Sequence, residues 1–281
     1  IKALYIIGEN PVLSEPQSAF VRWMLRNLEM LLVQDIFLTE TAKFADLIFP
    51  AAALGEKSGT TTNAARRIQY SEKAIDPPGE ALPDWKIIQR LANGFGSNWN
   101  YSNTEEIWDE VRRIVPIFKG ASYSRLKSSN GLFWPVYNEN HPGTKRLYSE
   151  RFMFRDGRAR FFPITLPLSY TVTTNDFPFM LVTHRLYEQF NTGEMTLRSR
   201  ITSKSGTHGF IAMNEQDASD YGLSEGSKIR ISSPYGSVVS SVKIMKGLKV
   251  PKGHLFAPIH FYKMGNFNEL TSTFPLDPRA R

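Results

Sequence analysis

The sequence predicts an α/β region followed by a β-rich region: a parallel sheet with crossover helices, then a small closed barrel. Three observations lead there. Short apolar runs alternate with helix-spaced segments through residue 95, the charge is unevenly divided, and from Phe177 onward apolar residues alternate with polar ones. At 281 residues the chain has room for two domains, each with its own core.

Ala3 to Ile7 (ALYII) reads as a short buried strand that runs into the turn formers Gly8-Glu9-Asn10-Pro11. Phe20, Met24, Leu25 and Leu28 then recur at helical spacing, and Leu31 to Val33 returns to a strand before Gln34-Asp35. Thr39 to Phe44 reads as a helix and Asp46-Leu47-Ile48-Phe49-Pro50 as a third buried strand. Ligands collect outside the carboxyl ends of such strands, where Gly8, Glu9, Asn10, Gln34 and Asp35 fall. Asp35 is either an acceptor for a ribose or purine or a turn and capping residue.

Gly55 to Asn63 (GEKSGTTTN) lacks the lysine placement of a phosphate loop and reads as a loop able to cover a ligand. Asp84 to Phe95 is a helix with Trp85, Ile88, Leu91 and Phe95 on one face. Asn103 and Glu106 form a capping pair opening the helix Glu105 to Val115. Trp85 and Trp108 read as packing residues. Residues 151–176, with Arg151, Arg155, Arg158 and Arg160, read as the connection between domains 1–150 and 177–281. Beyond it, Phe179 to Val182 is a strand and Asn214 to Tyr221 a short polar helix stopped by Gly222. Lys228–Ser232 and Val238–Ile244 are alternating strands, and Leu255 to Ile259 is one more.

Composition narrows the chemistry. The chain has no cysteine, which excludes disulfides, thiolate metal sites and a cysteine-held iron-sulfur cluster within it. No stretch reads as a membrane span or a secretory leader, so a soluble, cytoplasmic protein is expected, and its start at Ile1 reads as part of a longer chain. Residues 1–150 carry 17 basic and 17 acidic side chains, so the whole +7 lies in residues 151–281. Such a surface suits nucleic acid, anionic lipid or the phosphates of a cofactor. No nucleic-acid recognition motif accompanies it, and no nucleic-acid partner is expected.

The segment Thr183 to Arg200 (THRLYEQFNTGEMTLRSR) is polar, basic and aromatic together and starts where a buried strand ends. His184, Arg185 and Arg198 offer cationic donors, and Asn191, Thr192 and the Gly193 backbone offer neutral ones. No catalytic dyad is evident, and His184 and His260 lack metal-ligand spacing; no catalytic and no metal-ligating residue is assigned.

The runs IIGENPVLSEP, LLVQDIFLTETAKFADLIFPAAALGEKSGTTTNAARRIQ and PDWKIIQRLANGFG resemble the third domain of molybdopterin-dependent oxidoreductases, nearest the formate dehydrogenase large subunit. The runs THRLYEQFNTGEMTLRS, MNEQDASDYGLSEGSKIRISSPYGSV and APIHF with NELT resemble that family's fourth domain, the molybdopterin dinucleotide-binding domain. The resemblance implies a Rossmann-like α/β domain followed by a double-psi barrel, here stopping short of the segment that completes the barrel in relatives. It implies molybdopterin guanine dinucleotide carrying molybdenum or tungsten as cofactor.

By that resemblance Gly8, Glu9, Asn10, Gln34 and Asp35 lie near one guanosine and its pyrophosphate. Thr183, His184, Arg185, Tyr187, Thr192 and Asn214 line the pterin and phosphates of the barrel-bound cofactor, with His260, Phe261 and Asn268 nearby. The family's iron-sulfur cysteines, metal-ligating cysteine or selenocysteine and catalytic residues sit in an N-terminal half that this chain lacks. Partners implied are therefore that half and electron-transfer subunits. Formate oxidation is the expected activity of the complete enzyme; a nitrate reductase-type relative and a non-catalytic module of the same fold are the alternatives.

Overall fold

The computed structural model describes residues 1–163, 173–202, 209–260 and 265–272. In chain order the elements are β1 (Ala3–Ile7), α1 (Pro11–Ser14), α2 (Ser18–Arg26), β2 (Met30–Asp35), β3 (Leu47–Pro50), β4 (Gly59–Thr62) and β5 (Arg67–Ser71). They continue with α3 (Asp84–Gly94), α4 (Thr104–Ile114), α5 (Tyr123–Ser128) and β6 (Leu132–Phe133). The last are β7 (Met180–His184), β8 (Phe210–Asn214), α6 (Glu215–Asp220), β9 (Lys228–Ser233), β10 (Gly236–Met245) and β11 (His254–Pro258). They form three sheets, ordered β1-β2-β3, β4-β5-β6 and β7-β11-β8-β10-β9.

The chain divides into two compact units that are not consecutive stretches. One joins Ile1–Val33 and Leu38–Leu47 to Thr165–Arg281, and the other is Gln34–Phe37 with Ile48–Ile164.

In the first unit, Ile6, Leu31 and Val33 bury one face of the β1-β2 pair against Val12, Leu13, Val21, Leu25 and Ala42. Helix α2 thus turns Ser18, Val21 and Leu25 inward, spaced i, i+3, i+7. Of the predicted set, Leu25 is buried and Leu28 packs against this core, while Phe20 and Met24 are each 43% exposed. The helix expected at Thr39–Phe44 is only a 3₁₀ turn, Ala42–Phe44, because the Thr39 and Asn10 side chains take the backbone N–H groups of Ala42 and Thr41.

The five-stranded sheet of the same unit is mixed. β10 runs parallel to β8 and antiparallel to β9, while β11 runs parallel to β7 and antiparallel to β8. Alternation in β10 sends Val238, Ser240 and Val242 inward, and these valines join Ile211, Met213, Leu255, Ala257 and Phe267 in one core. The 3₁₀ segment Phe267–Leu270 of this core also holds the N-terminal helices. Asn266 Nδ2 donates to Val12 O at 3.1 Å and Ser18 Oγ at 2.7 Å. Asn268 Nδ2 donates to Leu13 O at 2.7 Å, and Arg22 pairs with Glu269 at 2.6 Å. These ties fix the loop after β1 relative to the mixed sheet.

In the second unit the segment read as a covering loop is instead a hairpin. β4 pairs antiparallel with β5, because the consecutive β-branched Thr60, Thr61 and Thr62, facing Ile68 and Tyr70, favour strand pairing over an open loop. β6 extends it, and Ile68, Ala121, Tyr123, Leu126, Leu132 and Val136 close a core over it. Trp108 packs here, stacked on Phe118 at 5.5 Å with its N–H donated to Ala121 O. In α3 the buried residue is Ile87; of the predicted face Trp85 and Leu91 are half-buried, while Ile88 and Phe95 are 36% and 85% exposed. Asn103 caps α4 as expected, its Oδ1 accepting from Glu106 N at 3.0 Å.

Candidate functional site

Two loops of the first unit meet on one buried amide. The first follows β1, where Gly8 adopts φ +62°, a conformation that residues without a Cβ reach at little cost. Two residues on, Asn10 is 4% exposed. Its Oδ1 accepts from Thr41 N at 3.0 Å and Thr41 Oγ1 at 2.7 Å. Its Nδ2 donates to Glu40 Oε2 at 3.0 Å and to Glu194 Oε1. Both amide hydrogens therefore go to carboxylates from segments far apart in sequence, and they are what allows the two anions to approach.

Glu194 belongs to the second loop, residues 185–202. That loop is organised by Gln189, 5% exposed, whose Nε2 donates to Thr202 O at 2.9 Å and whose Oε1 accepts from Thr196 Oγ1 at 2.6 Å. Thr202 Oγ1 donates back to Thr196 O at 2.6 Å. Gly193, at φ +79°, sits so close to its neighbours that a Cβ would lie 2.9 Å from Leu197 Cδ1 and 3.0 Å from His260 Cβ. Arg198 donates to Glu194 O at 2.6 Å and keeps its guanidinium beside the loop.

His184 ends β7 and His260 follows β11; the two strands are in register at His184 and Pro258, and Ile259 N donates to His184 O at 3.1 Å. His260 is fully buried, and burial, then the neighbouring His184 imidazole, push its pKa down to about 4, with the Glu188 carboxylate acting in the opposite direction. Burial also lowers the His184 pKa. Two neutral imidazoles result near pH 7, each with one N–H and one lone pair. His184 Nδ1 is buried without a hydrogen-bond partner among the described residues. A buried polar nitrogen left so costs about 1–3 kcal/mol, which a polar ligand relieves.

The other expected site residues divide clearly. Glu9, Thr183 and Arg185 are exposed, Thr192 is half-buried, and Tyr187 projects fully into solvent. Asn214 caps α6 through Oδ1 and donates from Nδ2 to Val250 O at 2.8 Å, and Asn268 ties α1 as described, so both amides serve the fold. Phe261 lies outside the described residues. Gln34 and Asp35 belong to the second unit. Gln34 is fully buried and donates to Asp84 Oδ1 at 2.6 Å, while Asp35 Oδ1 accepts from Phe37 N at 3.1 Å, the turn role considered for it.

Sequence reading missed Glu40, Thr41, Gln189, Glu194 and Asn266. Each lies in a polar interruption between apolar elements, which is a signal for a loop but not for which loops meet. The first unit also holds a cleft of about 730 Å³ that includes Glu40, Lys43, Phe44, Asn266 and Glu269. Among the described residues no group of three or more His, Asp or Glu side chains is placed to hold a metal ion.

Residues 1–94 match the family model for molybdopterin oxidoreductase, and residues 179–281 match the model for the molybdopterin dinucleotide-binding domain. The chain belongs to the molybdopterin oxidoreductases. It is 42% identical over 275 residues to the F420-dependent formate dehydrogenase subunit alpha of Methanocaldococcus jannaschii, covering 97% of this chain and 40% of that protein. The F420-dependent formate dehydrogenase 1 subunit alpha of Methanococcus maripaludis is 38% identical, with 93% and 39% covered. A putative formate dehydrogenase of Staphylococcus aureus is 38% identical, with 89% and 25% covered. The chain therefore spans about two fifths or less of the length of these relatives. Acetylene hydratase from Pelobacter acetylenicus shares the fold, with a TM-score of 0.66 at 18% identity, covering 92% of this chain and 37% of that one.

A pterin dinucleotide presents hydrogen-bonding ring edges and a pyrophosphate. The neutral imidazoles, the partnerless His184 Nδ1 and the exposed Arg185 and Arg198 form a donor set that fits such a group.

Proposed function

We propose that this chain is the cofactor-holding C-terminal portion of a formate dehydrogenase-type molybdenum or tungsten oxidoreductase, and that it binds molybdopterin guanine dinucleotide. The observations that carry the reading are the meeting of the β1 loop and the 185–202 loop on Asn10 and, in the same unit, the half-buried His184, whose Nδ1 has no hydrogen-bond partner among the described residues. In the complete enzyme the bound cofactor supplies the redox centre at which formate yields two electrons and a proton and becomes carbon dioxide. This chain's residues bind and orient. His184 meets a ring edge, and Thr183, Arg185, Tyr187 and Thr192 surround the pterin and phosphates, with His260 nearby; Phe261 enters the proposal by its place in the sequence alone. Gly8 and Glu9 face a nucleotide from the β1 loop, where Asn10 holds the loop's shape. Gln34 and Asp35 enter the proposal by their place at the end of β2.

The proposal includes the division into an α/β domain at 1–150, a connection at 151–176 and a double-psi barrel from 177. Its partners are an N-terminal half carrying the iron-sulfur cluster and the metal-ligating residue, and electron-transfer subunits. Among the described residues no helix is long and apolar enough to cross a membrane, and a cytoplasmic site of action is part of the proposal.

The test is anoxic purification with the N-terminal half, followed by assays for metal, for guanine nucleotide released by acid, and for dye reduction by formate. All three are expected. Metal and guanine without formate oxidation would move the substrate elsewhere, to nitrate for example, and absence of both would mark a non-catalytic module.

A further inference from the structure

The sequence sets asparagine before glycine twice, at Asn93-Gly94 and Asn130-Gly131. Such a pair carries latent chemistry, because glycine has no Cβ to shield its amide nitrogen from the side-chain carbonyl one residue back. Both asparagines are exposed, but the fold treats them differently. Asn93 and Gly94 close α3, and the Asn93 amide is spent on the Trp99 backbone: its Nδ2 donates to Trp99 O and its Oδ1 accepts from Trp99 N, each at 2.8 Å. Asn130 lies in the short link between α5 and β6, and its side chain has no hydrogen-bond partner among the described residues. Gly131, next to it, sits hard against β5. At φ +87° its Cβ position lies 2.5 Å from Ile68 O and 2.9 Å from Gln69 Cγ.

We propose that Asn130 is a modification site at which the chain deamidates itself, and that the isoaspartate formed there loosens β6 from β5. The Gly131 nitrogen bonds to Asn130 Cγ while the Cγ–Nδ2 bond breaks, and Nδ2 leaves as ammonia with the proton that the Gly131 nitrogen gives up. Water then opens the succinimide ring at either carbonyl, leaving aspartate or isoaspartate. Nothing is oxidised or reduced, and solvent supplies the sole co-reactant. Isoaspartate routes the main chain through Cγ, which adds a methylene immediately before Gly131. Strand β6 has two residues to hold it, Leu132 and Phe133, paired with Ile68 and Arg67. Leu132 and Ile68 also belong to the core of the second unit, packed with Ala121, Leu126 and Val136. A close-packed core and a glycine already against backbone leave no slack for the added length.

Ageing the complete subunit in mildly alkaline buffer, followed by peptide mapping and isoaspartyl methyl transfer, tests this. Asn130 is expected to convert at least about ten times faster than Asn93, whose helix must first open locally. As isoaspartate accumulates, the amides of Ile68 and Leu132 are expected to lose at least about tenfold of their hydrogen-exchange protection. Freshly prepared Asn130→Asp carries the same charge without the added methylene and is expected to keep that protection. Asn130→Gln, which must close a larger ring, is expected to remain unconverted and protected. Conversion at Asn130 no faster than at Asn93 would overturn the site. Isoaspartate at residue 130 with Ile68 and Leu132 still protected would overturn its consequence, and so would an equal loss in Asn130→Asp, since charge alone would then account for it. Neither readout involves formate or cofactor, so the result is independent of the proposed function.

Discussion

Each unit of the molecule buries a carboxamide on a carboxylate, and the two arrangements differ in what they leave over. In the second unit, the fully buried Gln34 donates to Asp84, whose other oxygen meets the Lys57 ammonium. Amide, carboxylate and ammonium close on themselves with no net charge. In the first unit, Asn10 is shared by two carboxylates, with Lys43 at 3.8 Å from Glu40, and His184 Nδ1 in the same unit has no hydrogen-bond partner among the described residues. Buried polarity alone therefore does not mark a ligand site; hydrogen-bonding capacity left unmatched does.

The largest expected effect tests that contrast directly. Asn10→Ala removes four hydrogen bonds at once and leaves the Glu40 and Glu194 carboxylates facing each other, which should cost about 3–4 kcal/mol in urea denaturation. Gln34→Ala should cost less, about 2 kcal/mol, because Asp84 keeps its lysine. Equal losses would break the comparison.

Next in size is the response to pH. A histidine buried neutral, with its pKa held near 4 instead of 6.5, makes the folded state bind fewer protons than the unfolded state between those values. Its contribution to stability is full above about pH 6.5 and is lost as the pH falls toward 4, by about 3 kcal/mol in all. The lowered pKa of His184 acts in the same direction. His260→Gln should flatten this slope in the first unit, read by pH-dependent hydrogen exchange, and leave the second unit's profile unchanged. A slope that survives the substitution would show that His260 is not the group responsible.

What was legible in the sequence follows from the range of each signal. Asn103 with Glu106, the alternation of β9 and β10, and Asn214 opening α6 are local, and the residues involved lie within a few positions of one another. Phe20 and Met24 in α2 and Ile88 and Phe95 in α3 were misread because both helices carry large apolar residues on two faces, so periodicity alone could not say which of them met the core. The Asn10–Glu194 contact spans 184 residues and has no periodic signature. His184 was visible as a polar residue at a strand end, but its unspent nitrogen became visible only once the strands were paired.

A smaller effect sharpens the role of the 185–202 loop. Gly193→Ala adds both a strained left-handed backbone and a methyl against Leu197 and His260, at an expected cost of about 2 kcal/mol. Gly222→Ala has the strain alone, since nothing lies within 4 Å of its Cβ position, and should cost about 1 kcal/mol. Equal losses would mean that the loop yields to the methyl and does not hold His260 in place.

The smallest effect lies in the second unit, at an exposed site with no ligand in prospect. Asn103 caps α4 by accepting from Glu106 N, while the Glu106 carboxylate accepts from Ser102 N at 2.9 Å, so each side chain satisfies a backbone donor at the helix start. Asn103→Ala removes one of those bonds where water can replace it, and the expected cost is about 1 kcal/mol. Trp108 lies in the same helix, so tryptophan fluorescence during urea denaturation reads the loss. The same substitution should leave the pH slope of the first unit untouched. A loss as large as that of Asn10→Ala would mean that neither the number of hydrogen bonds nor their burial sets the cost, and the distinction between the two units would fail.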